Sequence, residues 1–129
     1  MTMADCPNDL RYTDDHEYVR LDGDIATIGI TEYAVNQLGD IVFVELPRVG
    51  TEVSQGKELG TIESVKAVAE FYAPIGGTVM ECNTTLEESP ELISDDPYGE
   101  GWFVKIRVNN SIELEKILSA EEYQNYLRE

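Results

Sequence analysis

Gly60-Thr61-Ile62-Glu63-Ser64-Val65-Lys66-Ala67-Val68-Ala69-Glu70-Phe71-Tyr72-Ala73-Pro74 is the stretch on which the fold turns. Apolar and β-branched residues fill Thr61 to Val65 and Val68 to Ala73, which predicts two short strands closed by a tight turn and bounded by Gly60 and Pro74. Lys66 falls at the tip. The turn lacks the Asn-Gly or Asp-Gly pair that usually makes a two-residue hairpin, so turn propensity alone does not account for it. Most surface lysines are simply solvated. This one is flanked by Val65, Ala67 and Val68, small apolar neighbours that leave the amine accessible, the setting of a lysine presented for covalent modification.

Upstream, Glu17 to Asp22 alternates, with Val19 and Leu21 on one face and Tyr18 and Arg20 on the other, and Asp22-Gly23-Asp24 turns the chain into Ile25 to Ile30. The same parity sets Glu17 beside Val19 and Leu21, a carboxylate at the edge of the apolar side. Thr31 is placed to cap a helix over Glu32 to Leu38, with Gly39 as its stop. Ile41 to Leu46 is apolar on both parities, which predicts a strand covered on both faces until Pro47 ends it.

Downstream, Pro74, Gly76 and Gly77 lead into Thr78 to Cys82, where Cys82 alternates with Met80 and is expected in the core. Asn83 to Gly101 reads as an irregular excursion with one helical turn over Thr84 to Ser89. Trp102 to Val108 alternates strictly, Trp102, Val104, Ile106 and Val108 inward against Phe103, Lys105 and Arg107 outward. Trp102 and Phe43 are expected in the core rather than against a ligand. Ser111 is expected to cap a turn holding Leu114, Ile117 and Leu118, and Ser119 with Glu122 forms a capping box before Ala120, Tyr123 and Leu127. About seven strands with small helices at their edges argue for a mainly β fold of two packed sheets or a flattened barrel. A parallel α/β sheet would need crossover helices that this chain lacks. One domain over residues 1–129 is expected, its core spanning about 11–108 and a helical tail 111–129.

The net charge of −17, from 26 acidic against 9 basic residues, would repel a phosphate backbone, so nucleic acid is not an expected partner. Basic protein surfaces are better suited, through steering that weakens with salt. No run approaches the roughly 20 apolar residues of a membrane span. Met1 to Leu10 carries acids and no basic-then-apolar pattern, which gives the expectation of a cytoplasmic chain with Cys6 and Cys82 as thiols. No Gly-x-Ser-x-Gly elbow or phosphate loop occurs, and His16 is the single histidine, so a triad or a His-rich metal site is excluded. Asp14-Asp15-His16-Glu17 and Asp95-Asp96 lack the wider spacing of calcium loops and read as solvated acidic turns. A tip lysine on an acidic scaffold is a handle rather than an enzyme.

The chain closely resembles the glycine cleavage H-protein family of lipoyl carriers over nearly its whole length. The resemblance rests on His16-Glu17-Tyr18-Val19, Ala26-Thr27-Ile28-Gly29-Ile30-Thr31, Leu38 through Pro47, Glu63-Ser64-Val65-Lys66-Ala67, Asp96-Pro97-Tyr98 and Gly101-Trp102. Lipoyl domains of 2-oxoacid dehydrogenase complexes are shorter and typically place Asp before the lysine, and biotinyl domains usually bracket theirs with methionines. The resemblance implies a barrel-sandwich hybrid with short flanking helices and a C-terminal helix. It implies lipoate in amide linkage on Lys66, with Glu63, Ser64, Val65 and Ala67 as the recognition frame for a lipoate-attaching enzyme. It implies a non-enzymatic carrier that visits a pyridoxal-phosphate glycine decarboxylase, a tetrahydrofolate-dependent aminomethyltransferase and the FAD enzyme dihydrolipoyl dehydrogenase. Glu17 and Glu70 match positions associated with the loaded arm; two residues before Glu17, the family often has a small hydroxyl residue where this chain has Asp15. A lipoyl carrier or lipoate-relay protein for another complex is the alternative.

Overall fold

The computed structural model describes residues 6–128, so the expectation drawn from Met1 to Leu10 falls in part outside the described residues. Two antiparallel sheets form the molecule. The larger has the order β1-β2-β3-β9-β8-β5, from β1 (Arg11–Tyr12), β2 (Glu17–Asp22), β3 (Ile25–Ile30), β9 (Val104–Val108), β8 (Gly77–Cys82) and β5 (Glu52–Val53). The smaller is β4 (Ile41–Glu45), β6 (Glu58–Ser64) and β7 (Val68–Tyr72), in the order β4-β6-β7. The expected mainly β, two-sheet architecture is therefore present. The lysine hairpin is β6-β7, so the outer strand of the hairpin is also an edge of its sheet.

Local signals set the helix ends. Thr31 accepts a hydrogen bond from the Ala34 N–H and starts α1 (Glu32–Leu38), which stops at Gly39 with φ 77°. Ser119 and Glu122 form the expected capping box of α4 (Ala120–Leu127). Thr85–Glu88 (α2) supplies the expected turn in the excursion, and Leu92–Asp95 (α3) adds another. The 3-10 helix Ser111–Lys116 is capped by Asn110, whose side chain accepts from the Ile112 N–H, rather than by Ser111 as expected. Asn110 precedes the helix in extended backbone, the conformation a cap requires.

Several side chains depart from strict alternation, each for a packing reason. Phe103, expected outward, is fully buried: it precedes the regular strand and meets Phe71 of the opposite sheet edge-on at 4.6 Å. Ile41 to Leu46 is not covered on both faces. A bulge between Ile41 and Phe43 breaks the register, leaving Val42 and Phe43 exposed while Ile41 and Val44 face the core. A second irregularity between Val79 and Glu81 leaves Met80 exposed, and Cys82 is only half-buried, its thiol donating to the Pro47 carbonyl at 3.0 Å. Trp102 is also half-buried, with the Lys105 ammonium 4.9 Å from its ring centroid. Leu21, at the turn end of β2, is exposed, whereas Tyr18 is buried and covers Gly29, its cross-strand partner. A Cβ at Gly29 would lie 2.7 Å from that ring, so glycine makes room for the aromatic.

Candidate functional site

Ser64 explains the turn that lacked a turn dipeptide. Its backbone N–H donates to the Ala67 carbonyl at 2.8 Å, while its Oγ accepts from the N–H groups of Lys66 (3.2 Å) and Ala67 (3.1 Å). A hydroxyl that bonds backbone two and three residues ahead makes the turn by side chain rather than by glycine. The Val65 N–H donates to the Asp40 carbonyl at 3.0 Å, anchoring the tip to the link between α1 and β4. Removing the hydroxyl in Ser64→Ala is expected to destabilise the chain by about 1 kcal/mol, read by thermal melting.

The tip is exposed: Val65 at 67 % and Val68 at 64 % flank a lysine that is itself open to solvent. Among the described residues the ion pairs are Lys105–Glu81 and Arg107–Asp24, so no carboxylate engages the Lys66 ammonium. Its stem lies over Gly39, where an added Cβ would come within 3.3 Å of Cε and 3.8 Å of Nζ. Gly39 thus ends α1 and leaves room for the lysine.

Beside the hairpin lies a cavity of about 180 Å³. Its walls are Ala34 and Leu38 of α1, Ile62 of β6, Ala69 to Phe71 of β7 and the segment Asp15 to Glu17. A second cavity of about 330 Å³ lies against Tyr12 to Asp15, Gln55, Tyr72 to Pro74 and Lys116 to Leu118. Glu17 and Asp15 border both.

Glu17 is not at the edge of the core, as parity suggested, but inside it, 2 % exposed. Its Oε1 accepts from the Thr13 hydroxyl at 2.6 Å and its Oε2 from the Tyr72 N–H at 3.2 Å. The second bond crosses from the large sheet to the edge strand of the small one. Burial is the largest influence on its carboxyl and raises the pKa from 4.5 to about 7, against the two hydrogen bonds and with help from Asp15 and Asp14. Glu70 is exposed, and its carboxylate accepts from the Tyr72 hydroxyl at 3.1 Å. The Glu58 carboxyl is raised by a hydrogen bond shared with Glu70 and by that neighbour's charge. Glu63 is exposed one pair from the turn, opposite Val68 on one side and Phe43 on the other.

The sequence placed Lys66 and its frame in one hairpin but gave no sign of Thr13, Tyr72 or Tyr123. Thr13 was legible in principle, as a hydroxyl four residues before a strand carboxylate. Tyr72 reaches Glu17 only through packing between the sheets, and Tyr123 bonds His16 and Thr31 rather than lining either cavity. No helix of the described residues is long and apolar enough to cross a membrane.

A family model described as glycine cleavage H-protein matches residues 10–129. A glycine cleavage system H protein of Nostoc punctiforme is 61 % identical over 118 residues, covering 92 % of each chain. One from Acaryochloris marina is 58 % identical over 118 residues, again covering 92 % of each. The crystal structure of a glycine cleavage system H protein from Mycobacterium marinum is similar with a TM-score of 0.84 at 39 % identity, covering 95 % of this chain and 99 % of that one. With a family match over nearly its full length, and relatives and a solved structure that agree with it, this chain belongs to the glycine cleavage H-protein family.

Proposed function

We propose that this chain is the lipoylated carrier of a glycine cleavage system, with lipoate in amide linkage to Lys66. Membership of the family supports the carrier reading, and one observation carries the choice of residue: a lysine at an exposed turn, held by Ser64 and unpaired with any carboxylate among the described residues. The site fits the group. The lysine is exposed, its neighbours are small, and a largely apolar cavity opens along the same hairpin.

When bound, lipoate supplies a dithiolane able to take the aminomethyl group from glycine decarboxylase, yield it to the tetrahydrofolate-dependent aminomethyltransferase, and pass reducing equivalents to dihydrolipoyl dehydrogenase. The protein's own part is presentation. Lys66 Nζ, once deprotonated, is the nucleophile for the lipoate-attaching enzyme, and amide formation makes the net charge of −17 one unit more negative. Glu63, Ser64, Val65 and Ala67 form the frame that enzyme meets. Holding the arm on a rigid hairpin raises its local concentration in each docked complex. Glu17 and Glu70 line the cavity as acids suited to an ammonium at the end of the arm, beside its largely apolar walls. Attachment and use take place in the cytoplasm.

Reconstitution tests this reading. The purified lipoylated chain alone is expected to give no sustained glycine oxidation, and addition of the three enzymes is expected to restore it. Turnover by the chain alone would replace the carrier with an enzyme.

A further inference from the structure

The wall shared by the two cavities is held from the far end of the chain. His16 has φ 71°, a left-handed conformation that a non-glycine residue keeps only when its surroundings over-determine it. Its backbone is tied on both sides: its N–H donates to the Thr13 carbonyl at 3.1 Å, and its carbonyl accepts from the Thr31 N–H at 2.9 Å. Its ring lies 4.6 Å from that of Tyr33, and its Nδ1 is 2.8 Å from the Tyr123 hydroxyl. That same hydroxyl is 2.8 Å from Thr31 Oγ1, the cap of α1. Tyr123 is fully buried and stacked on Tyr12 at 4.7 Å, so its hydroxyl has a fixed position between the segment before β2 and the start of α1. The residue after His16 is Glu17, whose carboxyl reaches the Tyr72 N–H on the edge of the lysine hairpin.

We propose that Tyr123, on the C-terminal helix, is a positioning residue for the arm cleft: its hydroxyl holds His16 left-handed, and that backbone aims Glu17 onto the Tyr72 amide. The C-terminal helix therefore sets the wall against which the arm is sheltered without touching Lys66. The role assigned to the cleft rests on the carrier reading above; the mechanical link from Tyr123 to Tyr72 does not.

Tyr123→Phe keeps the ring stack and removes only the hydroxyl, and His16→Gly supplies a residue that adopts positive φ unaided. Amide hydrogen exchange, resolved by residue on the full unmodified chain, reads the link. In Tyr123→Phe the Tyr72 amide is expected to exchange about tenfold faster, the loss of one hydrogen bond of ordinary strength, while Ile62 and Ile106 amides keep their protection. His16→Gly alone is expected to leave Tyr72 protected, and adding Tyr123→Phe to it is expected to change nothing further. Unchanged exchange at Tyr72 in Tyr123→Phe, a uniform acceleration of all strand amides, or the same tenfold loss in the His16→Gly background would each overturn the proposal. Loss of Tyr72 protection in His16→Gly alone would do so too, which keeps the test decisive if Tyr123→Phe does not fold. Intact mass of the same proteins from lipoate-competent cells separates the two readings. A lipoyl increment with no exchange effect removes the Tyr123 role alone, and an exchange effect with no increment removes the carrier reading alone.

Discussion

Lys66→Arg is expected to abolish acylation completely and, with it, all glycine oxidation in the reconstituted system, while leaving the melting midpoint where it is. Arginine is the informative replacement because it keeps the positive charge and most of the stem length. Its guanidinium stays protonated at any accessible pH and offers no nucleophilic lone pair for amide formation. The tip accepts the change because the side chain is exposed and makes no ion pair among the described residues, and substitutions at such positions usually shift stability by no more than about 0.5 kcal/mol. Intact-mass spectrometry of wild type and variant from lipoate-competent cells gives the readout. A lipoyl increment persisting in Lys66→Arg would move the attachment site to another lysine, and its absence from wild type under every growth condition would remove the carrier reading.

Elements governed by neighbours in sequence were legible before the structure. Thr31 and Gly39 bracket α1, Ser119 and Glu122 box α4, and Gly23 makes the β2-β3 turn with φ 65°, all through contacts within a few residues. The hairpin is legible from its strands, whereas the Ser64 hydroxyl that makes its turn carries no turn-dipeptide signal. Errors came where packing across the sandwich decides. Phe103 is inward because Phe71 waits on the other sheet, and Val42 and Phe43 are outward because a bulge resets the register of β4. Period-two reasoning has no access to either. Within the site, Lys66 needed only its own hairpin, whereas the burial of Glu17 depends on Thr13, on Tyr72 from the second sheet and on a neighbour, His16, fastened to residue 123. The closer a residue's role lies to the joint between the sheets, the less of it a linear pattern contains.

That joint also carries a pH dependence whose sign is opposite to the usual one for a carboxylate. In the folded chain Glu17 holds its proton up to about pH 7, whereas its ordinary value is 4.5. Between those values the folded state binds a proton that the unfolded state has released, so stability falls as pH rises through this window and the loss is complete above it. The separation corresponds to about 3 kcal/mol. Glu17→Gln has no charge to desolvate at any pH, and its amide oxygen can still accept from the Tyr72 N–H. The variant is therefore expected to match wild type near pH 4 and to exceed it by up to about 3 kcal/mol at pH 8, measured by urea unfolding at both values. Self-repulsion among the other acids also grows with pH, but it is common to both proteins and cancels in the difference. Parallel stability curves would show that Glu17 does not titrate in this window. The gain has a functional counterpart: without a carboxylate at the joint, the loaded carrier is expected to decay faster, and an unchanged lifetime in Glu17→Gln would remove Glu17 from the shelter. An acid placed where a neutral amide is more stable is the trade expected where charge serves function rather than packing.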